Sequence, residues 1–235
     1  MDIPPFVALF IIALLISAYK NSLYKKSTYY QITKKSYWSL DKGAHGEYLL
    51  YEQLRYHEER GGKFLFNLYV PKNDKENTEI DALLITSKGL FVFESKNYNG
   101  WIFGDEASHN WTQVLPARRR QSHRIPFYNP IIQNAQHIKH LRQQIGQDAA
   151  IWSIIVFSDR CVLKNITVRN KNTRVLNRYD VEKAISQICS EQADTLDESQ
   201  MNDIYCRLYR YSQTNSEEKE LHVKGTKKNS PHLLR

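Results

Sequence analysis

Glu79-Ile80-Asp81-Ala82-Leu83-Leu84-Ile85-Thr86-Ser87-Lys88-Gly89-Leu90-Phe91-Val92-Phe93-Glu94-Ser95-Lys96 is the stretch that decides the fold. Two apolar runs rich in Ile, Leu, Val and Phe flank Ser87-Lys88-Gly89, the composition of a tight hairpin turn. Asp81 falls on the first strand, Glu94 and Lys96 on the second. Side chains two apart on a strand share a face, so Glu94 and Lys96 point together and the hairpin can bring Asp81 opposite them. Three charges on a short apolar hairpin are costly unless they hold a metal or one another. The layout fits a hydrolytic magnesium site.

Upstream, Gly43-Ala44-His45-Gly46-Glu47 opens a helical pattern through Tyr48, Leu49, Tyr51, Leu54 and Tyr56, which Gly61-Gly62 stops. Residues 64–70 read as a strand ending at Pro71, followed by a polar loop over 72–77. Downstream, Asn99-Gly100 turns into a short strand over 101–103, and a further strand passes through 111–115. Arg118-Arg119-Arg120, with Arg124 close behind, reads as a basic loop. Asn129-Pro130 opens a helix, with Pro in the first turn where a missing N–H costs little. Ile131, Ile132, Ala135, Ile138, Leu141 and Ile145 give that helix an apolar face. The continuous apolar run over 151–157 is a strand buried on both faces. A weaker strand around Val175 and helices near 181–189 and 201–211 complete the pattern. The order predicts an α/β domain, a central mixed β-sheet flanked by helices.

Residues 3–19 are apolar apart from Ser17 and carry no charge. At about 1.5 Å per residue they span about 25 Å, at the short end for a transmembrane helix, and Tyr19 and Tyr24 can extend the anchor into the interface. A cleaved signal peptide is the competing reading, but a basic leading segment and a clean small-x-small cleavage site are missing. Lys20, Lys25, Lys26, Lys34 and Lys35 follow with no acid before Asp41. They place the following domain in the cytoplasm of a single-pass cell-membrane protein and offer contacts to anionic lipid headgroups. The expected organisation is an anchor over 3–19, a basic juxtamembrane linker over 20–39 and a core over 40–157. A C-terminal α/β extension over 158–212 and a disordered polar tail over 213–235 follow.

The 235-residue chain is 41% hydrophobic and 12% aromatic, enough for a packed core, and its formal charge of +8 favours polyanionic partners. Its three cysteines form no CxxC pair, so neither a zinc site nor a disulfide framework is indicated. His137 and His140 share a helix face without a third ligand at sensible spacing. Trp101 and Trp111 sit on strands, where core packing is the expectation and base stacking the alternative.

Phosphodiester hydrolysis needs an activated water, charge neutralisation and help for the leaving group, which a divalent ion held by strand carboxylates supplies. Asp81 and Glu94 supply the carboxylates for Mg²⁺ (or Mn²⁺), and the Ser95 backbone carbonyl is a further candidate ligand. Lys96 would orient water or stabilise the phosphoryl charge. Glu47, on the first helix, could reach the same site. Gln133, one turn into its helix, could bond a phosphate or a metal-bound water. Arg118, Arg119, Arg120 and Arg124 are candidate phosphate contacts.

The pattern Gly43-x-x-Gly46-Glu47, Glu79-Ile80-Asp81, Gly89-Leu90-Phe91-Val92-Phe93-Glu94-Ser95-Lys96-Asn97, Gly100-x-x-x-Gly104, Trp111 and Asn129-Pro130-x-x-Gln133 resembles the nuclease-related domain (NERD). That family is grouped with the PD-(D/E)xK nucleases, and the resemblance covers roughly residues 40–157. It implies a restriction-endonuclease-like fold in which Asp81, Glu94 and Lys96 are catalytic. It also implies Glu47 as the helix carboxylate and Gln133 as the polar group on the following helix. The resulting expectation is a membrane-anchored, Mg²⁺-dependent nuclease acting on DNA. The alternative is a tethered nucleic-acid-binding or signalling module that keeps the fold without cleaving, and a third reading is an interaction protein at the lipid surface.

Overall fold

In the computed structural model, which describes residues 4–73, 76–116, 122–146 and 148–212, the chain begins with α1 (Pro5–Lys26), α2 (Thr28–Thr33) and α3 (Lys42–Glu59). The strands β1 (Lys63–Asn73), β2 (Glu76–Thr86), β3 (Gly89–Lys96), β4 (Gly100–Asp105), β5 (Asn110–Leu115) and β6 (His123–Tyr128) follow. Then come α4 (Pro130–Ile145), β7 (Ile151–Phe157), β8 (Cys161–Thr167), β9 (Thr173–Asn177), α5 (Val181–Glu191) and α6 (Glu198–Ser212).

The hairpin forms as the sequence predicts, β2 and β3 pairing antiparallel from Ala82–Phe93 to Thr86–Gly89. Gly89 sits at φ +128°, and a Cβ there would lie 2.4 Å from the Ala150 carbonyl oxygen, so no other residue fits this turn. On its other edge β3 pairs parallel with β7, from Leu90–Ile151 to Lys96–Phe157. Every residue of β7 is buried, as its unbroken apolar sequence requires. The sheet order is β1-β2-β3-β7-β9, antiparallel on one side of β3 and parallel on the other.

Instead of one sheet there are two. β3 and β7 both bend at their carboxyl ends and re-emerge as β4 and β8, which pair parallel in a second sheet of order β6-β5-β4-β8. Ser158 N–H donates to the Lys96 carbonyl (3.0 Å) and Gly100 N–H to that of Arg160 (3.2 Å), stitching the bend. Trp111 is buried between the sheets and stacks on Phe157 at 6.2 Å. Its ring fills the space over Gly104, where a Cβ would come within 2.1 Å. Trp101 is 39% exposed, not core, with the Lys164 ammonium 5.8 Å above its ring.

β6 and β8 are absent from the sequence reading because edge strands such as His-Arg-Ile-Pro-Phe-Tyr carry few apolar residues. Arg124 therefore stands exposed on an edge strand opposite Val114, not in a loop. β1 runs past Pro71 to Asn73, which an edge strand tolerates because it leaves one side of the backbone unpaired. Arg118, Arg119 and Arg120, and the tail over 213–235, lie outside the described residues.

α1 is long and apolar enough to cross a membrane, at about 33 Å. Phe6, Leu9, Phe10 and Leu15 are each about two-thirds exposed or more, so the domain does not cover it. It is longer than the 3–19 expected and carries Lys20, Lys25 and Lys26 within its own helix. The segment read as a linker is packed. Tyr24 and Tyr29 are fully buried and Ile32 is nearly so. Tyr24 meets Tyr48, Tyr37 and Tyr30 edge-on at 4.8, 5.2 and 5.5 Å, and Tyr29 meets Phe66 at 4.9 Å. Tyr24 therefore belongs to the domain core and not to the lipid interface. Ser27 caps α2, its hydroxyl accepting from Tyr30 N–H (3.2 Å).

Truncating an aromatic ring in a closed core costs about 3–5 kcal/mol. Tyr24→Ala in the full chain is expected to destabilise the domain by that amount, read by denaturant unfolding in detergent micelles. A loss below about 1 kcal/mol would place the segment outside the core.

Candidate active site

Strand register assembles the site. Ile80 pairs with Leu68 and Ala82 with Phe66, which puts Asn67 across from Asp81. Ala82 also pairs with Phe93, which puts Glu94 on the other side of Asp81. The row Asn67–Asp81–Glu94 thus crosses three strands, with Lys96 one step further along β3. Regular β2–β3 pairing stops here, and the Asp81 carboxylate takes over by accepting the Ser95 N–H (2.7 Å). The N–H and C=O of one strand residue project to the same edge, so the Ser95 carbonyl lies on the Asp81 side. The Lys96 carbonyl faces the other way, accepting from Ser158.

Glu94 is 2% exposed. Its Oε1 accepts from the Lys96 ammonium at 2.6 Å and its Oε2 lies 3.2 Å from His137 Nε2. His137 Nδ1 in turn lies 2.5 Å from the Thr78 hydroxyl. The Lys96 ammonium also donates to Gln133 Oε1 (3.1 Å). α4 is placed to do this by Asn134, whose amide donates to the Val92 carbonyl and the Ser153 hydroxyl at 2.9 Å each. Asn129 caps the same helix through Ile131 N–H (2.9 Å).

The two strand carboxylates are driven apart in acidity. Burial opposes ionisation of Glu94, but the Lys96 charge and the His137 hydrogen bond outweigh it and pull its carboxyl down to about 2. Asp81 is raised well above the ordinary aspartate range, by burial first and then by the charges of Glu94 and Glu47, against which Lys96 and Ser95 give partial relief. Lys96 is raised above the usual lysine value because Glu94 overcomes the opposing effect of burial, so it stays an ammonium at neutral pH.

Among the predicted residues, Asp81, Glu94, Ser95, Lys96 and Gln133 come together directly. Glu47 enters from α3 and is buried, its Oε2 accepting from Asn67 Nδ2 (2.9 Å) and lying 3.1 Å from the Tyr29 hydroxyl. Burial raises its carboxyl above the ordinary glutamate range, against the charge of Lys35 and the Asn67 hydrogen bond. Sequence reasoning missed His137, Thr78 and Asn67. The signal for His137 was its i+4 spacing from Gln133, which sets both over β3 on one helix face. Its neighbour His140 does not share these partners.

Among the described residues no three His, Cys, Asp or Glu side chains converge as a metal cage. Mg²⁺ does not require one: it takes one or two carboxylates, keeps several waters and shares phosphate oxygens. Asp81 fits this demand because it is crowded by like charge that a cation would relieve. Glu94 is the second carboxylate beside it, its two oxygens already engaged by Lys96 and His137.

Beside Lys96 the surface opens into a narrow crevice lined by Gly46, Ser95, Asn97, Ser158 and Arg178. Asn97 and Arg178 also line a broader cleft of about 430 Å³ that includes Lys42, His45 and Arg160. Arg160 is held there by Asn97 Oδ1 (2.8 Å), and Arg178 by Asp159 (2.5 Å).

The unequal acidities give opposite expectations for stability. Asp81→Asn removes like-charge repulsion and is expected to raise the melting temperature by about 2–4 °C at neutral pH. That gain should vanish as pH falls to the ordinary aspartate range, because native Asp81 is then already protonated. Glu94 contributes stability that is complete above 4.5, its ordinary value, and is lost as pH falls toward about 2. Glu94→Gln strands Lys96 and His137 and is expected to cost about 3–5 kcal/mol at neutral pH, converging on the parent near the acid end. Thermal melts across pH check both.

The nuclease-related domain model matches residues 42–158. An uncharacterized protein of Bacillus anthracis is 33% identical over 183 residues, covering 78% of this chain and 82% of that one. A crystal structure of a protein of unknown function aligns with 80% of this chain and 97% of its own, at 10% identity and a TM-score of 0.33, too distant to bear on the site. The chain belongs to the nuclease-related domain family, within the PD-(D/E)xK nuclease-like superfamily.

Proposed function

We propose that this chain is a membrane-anchored, Mg²⁺-dependent nuclease that hydrolyses phosphodiester bonds of DNA. The observation that carries the reading is the convergence of Asp81, Glu94 and Lys96 at the carboxyl end of β3, beside a cation-lined cleft. Asp81 and Glu94, with the Ser95 carbonyl, would hold the cation, which when bound activates water and neutralises phosphoryl charge. Lys96 stays charged, so it acts as a donor to the negative phosphoryl oxygens and not as a base. Gln133 accepts from Lys96 and fixes its direction. His137, backed by Thr78, keeps Glu94 ionised and oriented.

Lys42, His45, Arg160 and Arg178 offer a track for the strand beyond the scissile phosphate. Arg124, exposed on β6, is a further phosphate contact. The α1 helix would tether the protein to a membrane, and the run of lysines after its apolar part favours a cytoplasmic domain that also touches anionic headgroups.

The full chain in detergent micelles, incubated with linear, circular and single-stranded DNA in Mg²⁺, Mn²⁺ or EDTA, tests this. Cleavage should require the metal and fall at least about 100-fold in Lys96→Met. Arg160→Ala should reduce the slope of log binding constant against log salt by about 1. Metal-independent binding with no cut product would instead favour a non-cleaving nucleic-acid-binding or signalling module.

A further inference from the structure

The segment leaving the membrane helix touches the acidic side of the site. Its joint with α1 is closed: the Tyr24 hydroxyl donates to the Lys35 carbonyl (2.7 Å), and Ser27 donates to the Tyr24 carbonyl through both its N–H (3.0 Å) and its hydroxyl (2.5 Å). α2 then projects Tyr29 into the core, where its hydroxyl lies between the Ala44 carbonyl (3.0 Å) and Glu47 Oε2 (3.1 Å). Two residues beyond α2, the Lys35 ammonium donates to Asn67 Oδ1 (3.2 Å). The other end of that amide, Nδ2, donates to the same Glu47 oxygen (2.9 Å).

One carboxylate oxygen thus meets two polar groups, and both depend on residues 28–35. Asn67 has a cost of its own: it holds φ +50° inside β1, a left-handed conformation rare for a residue other than glycine. Such strain persists where surrounding contacts over-determine it. Here Lys35 and Glu47 hold the two ends of the amide while the backbone faces Asp81.

We propose that the juxtamembrane segment positions Glu47 beside Asp81 through Tyr29 and the Lys35–Asn67 pair, joining the membrane helix and the active site into one rigid unit. Tyr29 and Lys35 are positioning residues, since they act through Glu47. The effect on cleavage rests on the nuclease reading; the effect on Glu47 and α3 does not.

Tyr29→Phe in the full chain, in detergent micelles, keeps the ring and deletes the hydroxyl. Its kcat on linear DNA should fall about tenfold, equivalent to the loss of one hydrogen bond to a charged group, with KM unchanged. Amide hydrogen exchange over residues 44–48 should accelerate. In a Glu47→Gln background the same substitution should add no further loss of kcat and little further exchange, since coupled residues are not additive. Lys35→Met leaves the aromatic core alone and should show the same pattern, so a poorly folded Tyr29 variant does not decide the matter. Equal effects of Tyr29→Phe with and without Glu47, or parental kcat and parental exchange in both single variants, would overturn the proposal. If the parent cuts no DNA, the nuclease reading fails separately, and the exchange comparison alone decides the positioning role: coupled protection supports it, additive protection rejects it.

Discussion

A carboxylate buried at the end of an apolar strand must be compensated, and the compensation of Glu94 organises this molecule. Paired on both edges, with β2 and β7, and buried from Gly89 through Glu94, β3 leaves only its carboxyl end for charge. There Glu94 recruits Lys96 from its own strand and His137 from α4, and Lys96 recruits Gln133. α4 is thereby tied to the sheet by ionic and polar contacts as well as by its apolar face. Breaking one partner would leave the others buried and unpaired, which costs more than the pair itself contributes. The bend of β3 and β7 into a second sheet begins at the next residue. It carries Asn97 out to the cleft and seats Arg160 and Arg178 beside the site.

The legible parts of this architecture are those in which one physical demand dominates the residue pattern. The hairpin over 79–96 reads directly because β-branched and aromatic residues, a glycine turn and isolated charges all agree. The helices α3 and α4 read from their apolar spacing, and the strand charges read as a site because nothing apolar explains them. β6 and β8 escaped because edge strands in a small second sheet have one wet side and need no apolar run. The role of His137 is hidden because its partners lie on β2 and β3, separated from it by 59 and 43 residues. The packing of the segment after α1 is hidden from the sequence for a chemical reason. Tyrosine suits both a lipid interface and a core that can bond its hydroxyl, and composition cannot separate the two.

That double character of tyrosine is what lets the segment after α1 join the domain. An apolar ring buries against Phe66 and Tyr48, while its hydroxyl reaches a carboxylate a leucine could not satisfy. Around Tyr24, four rings meet at 4.8–6.3 Å, close enough for favourable edge-on contacts and too crowded for a flexible hinge. A run of glycine and serine would have left α1 free of the domain, so the burial of Tyr24, Tyr29 and Ile32 argues for a defined relation between α1 and the sheet.

The acids across the sheet row divide their labour by environment alone. Asp81 and Glu94 stand on adjacent strands, yet one is held ionised by two cationic or hydrogen-bonding partners and the other is left among like charges. Groups driven apart in this way act differently at one pH. Glu94 provides a permanent negative charge that keeps Lys96 an ammonium, while Asp81 is the group whose ionisation its surroundings oppose. Glu47, further raised by burial, adds to the pressure on Asp81 and makes the position of α3 part of the site's electrostatics. The left-handed backbone at Asn67 lies where one residue both faces Asp81 across the ladder and turns its amide to Glu47.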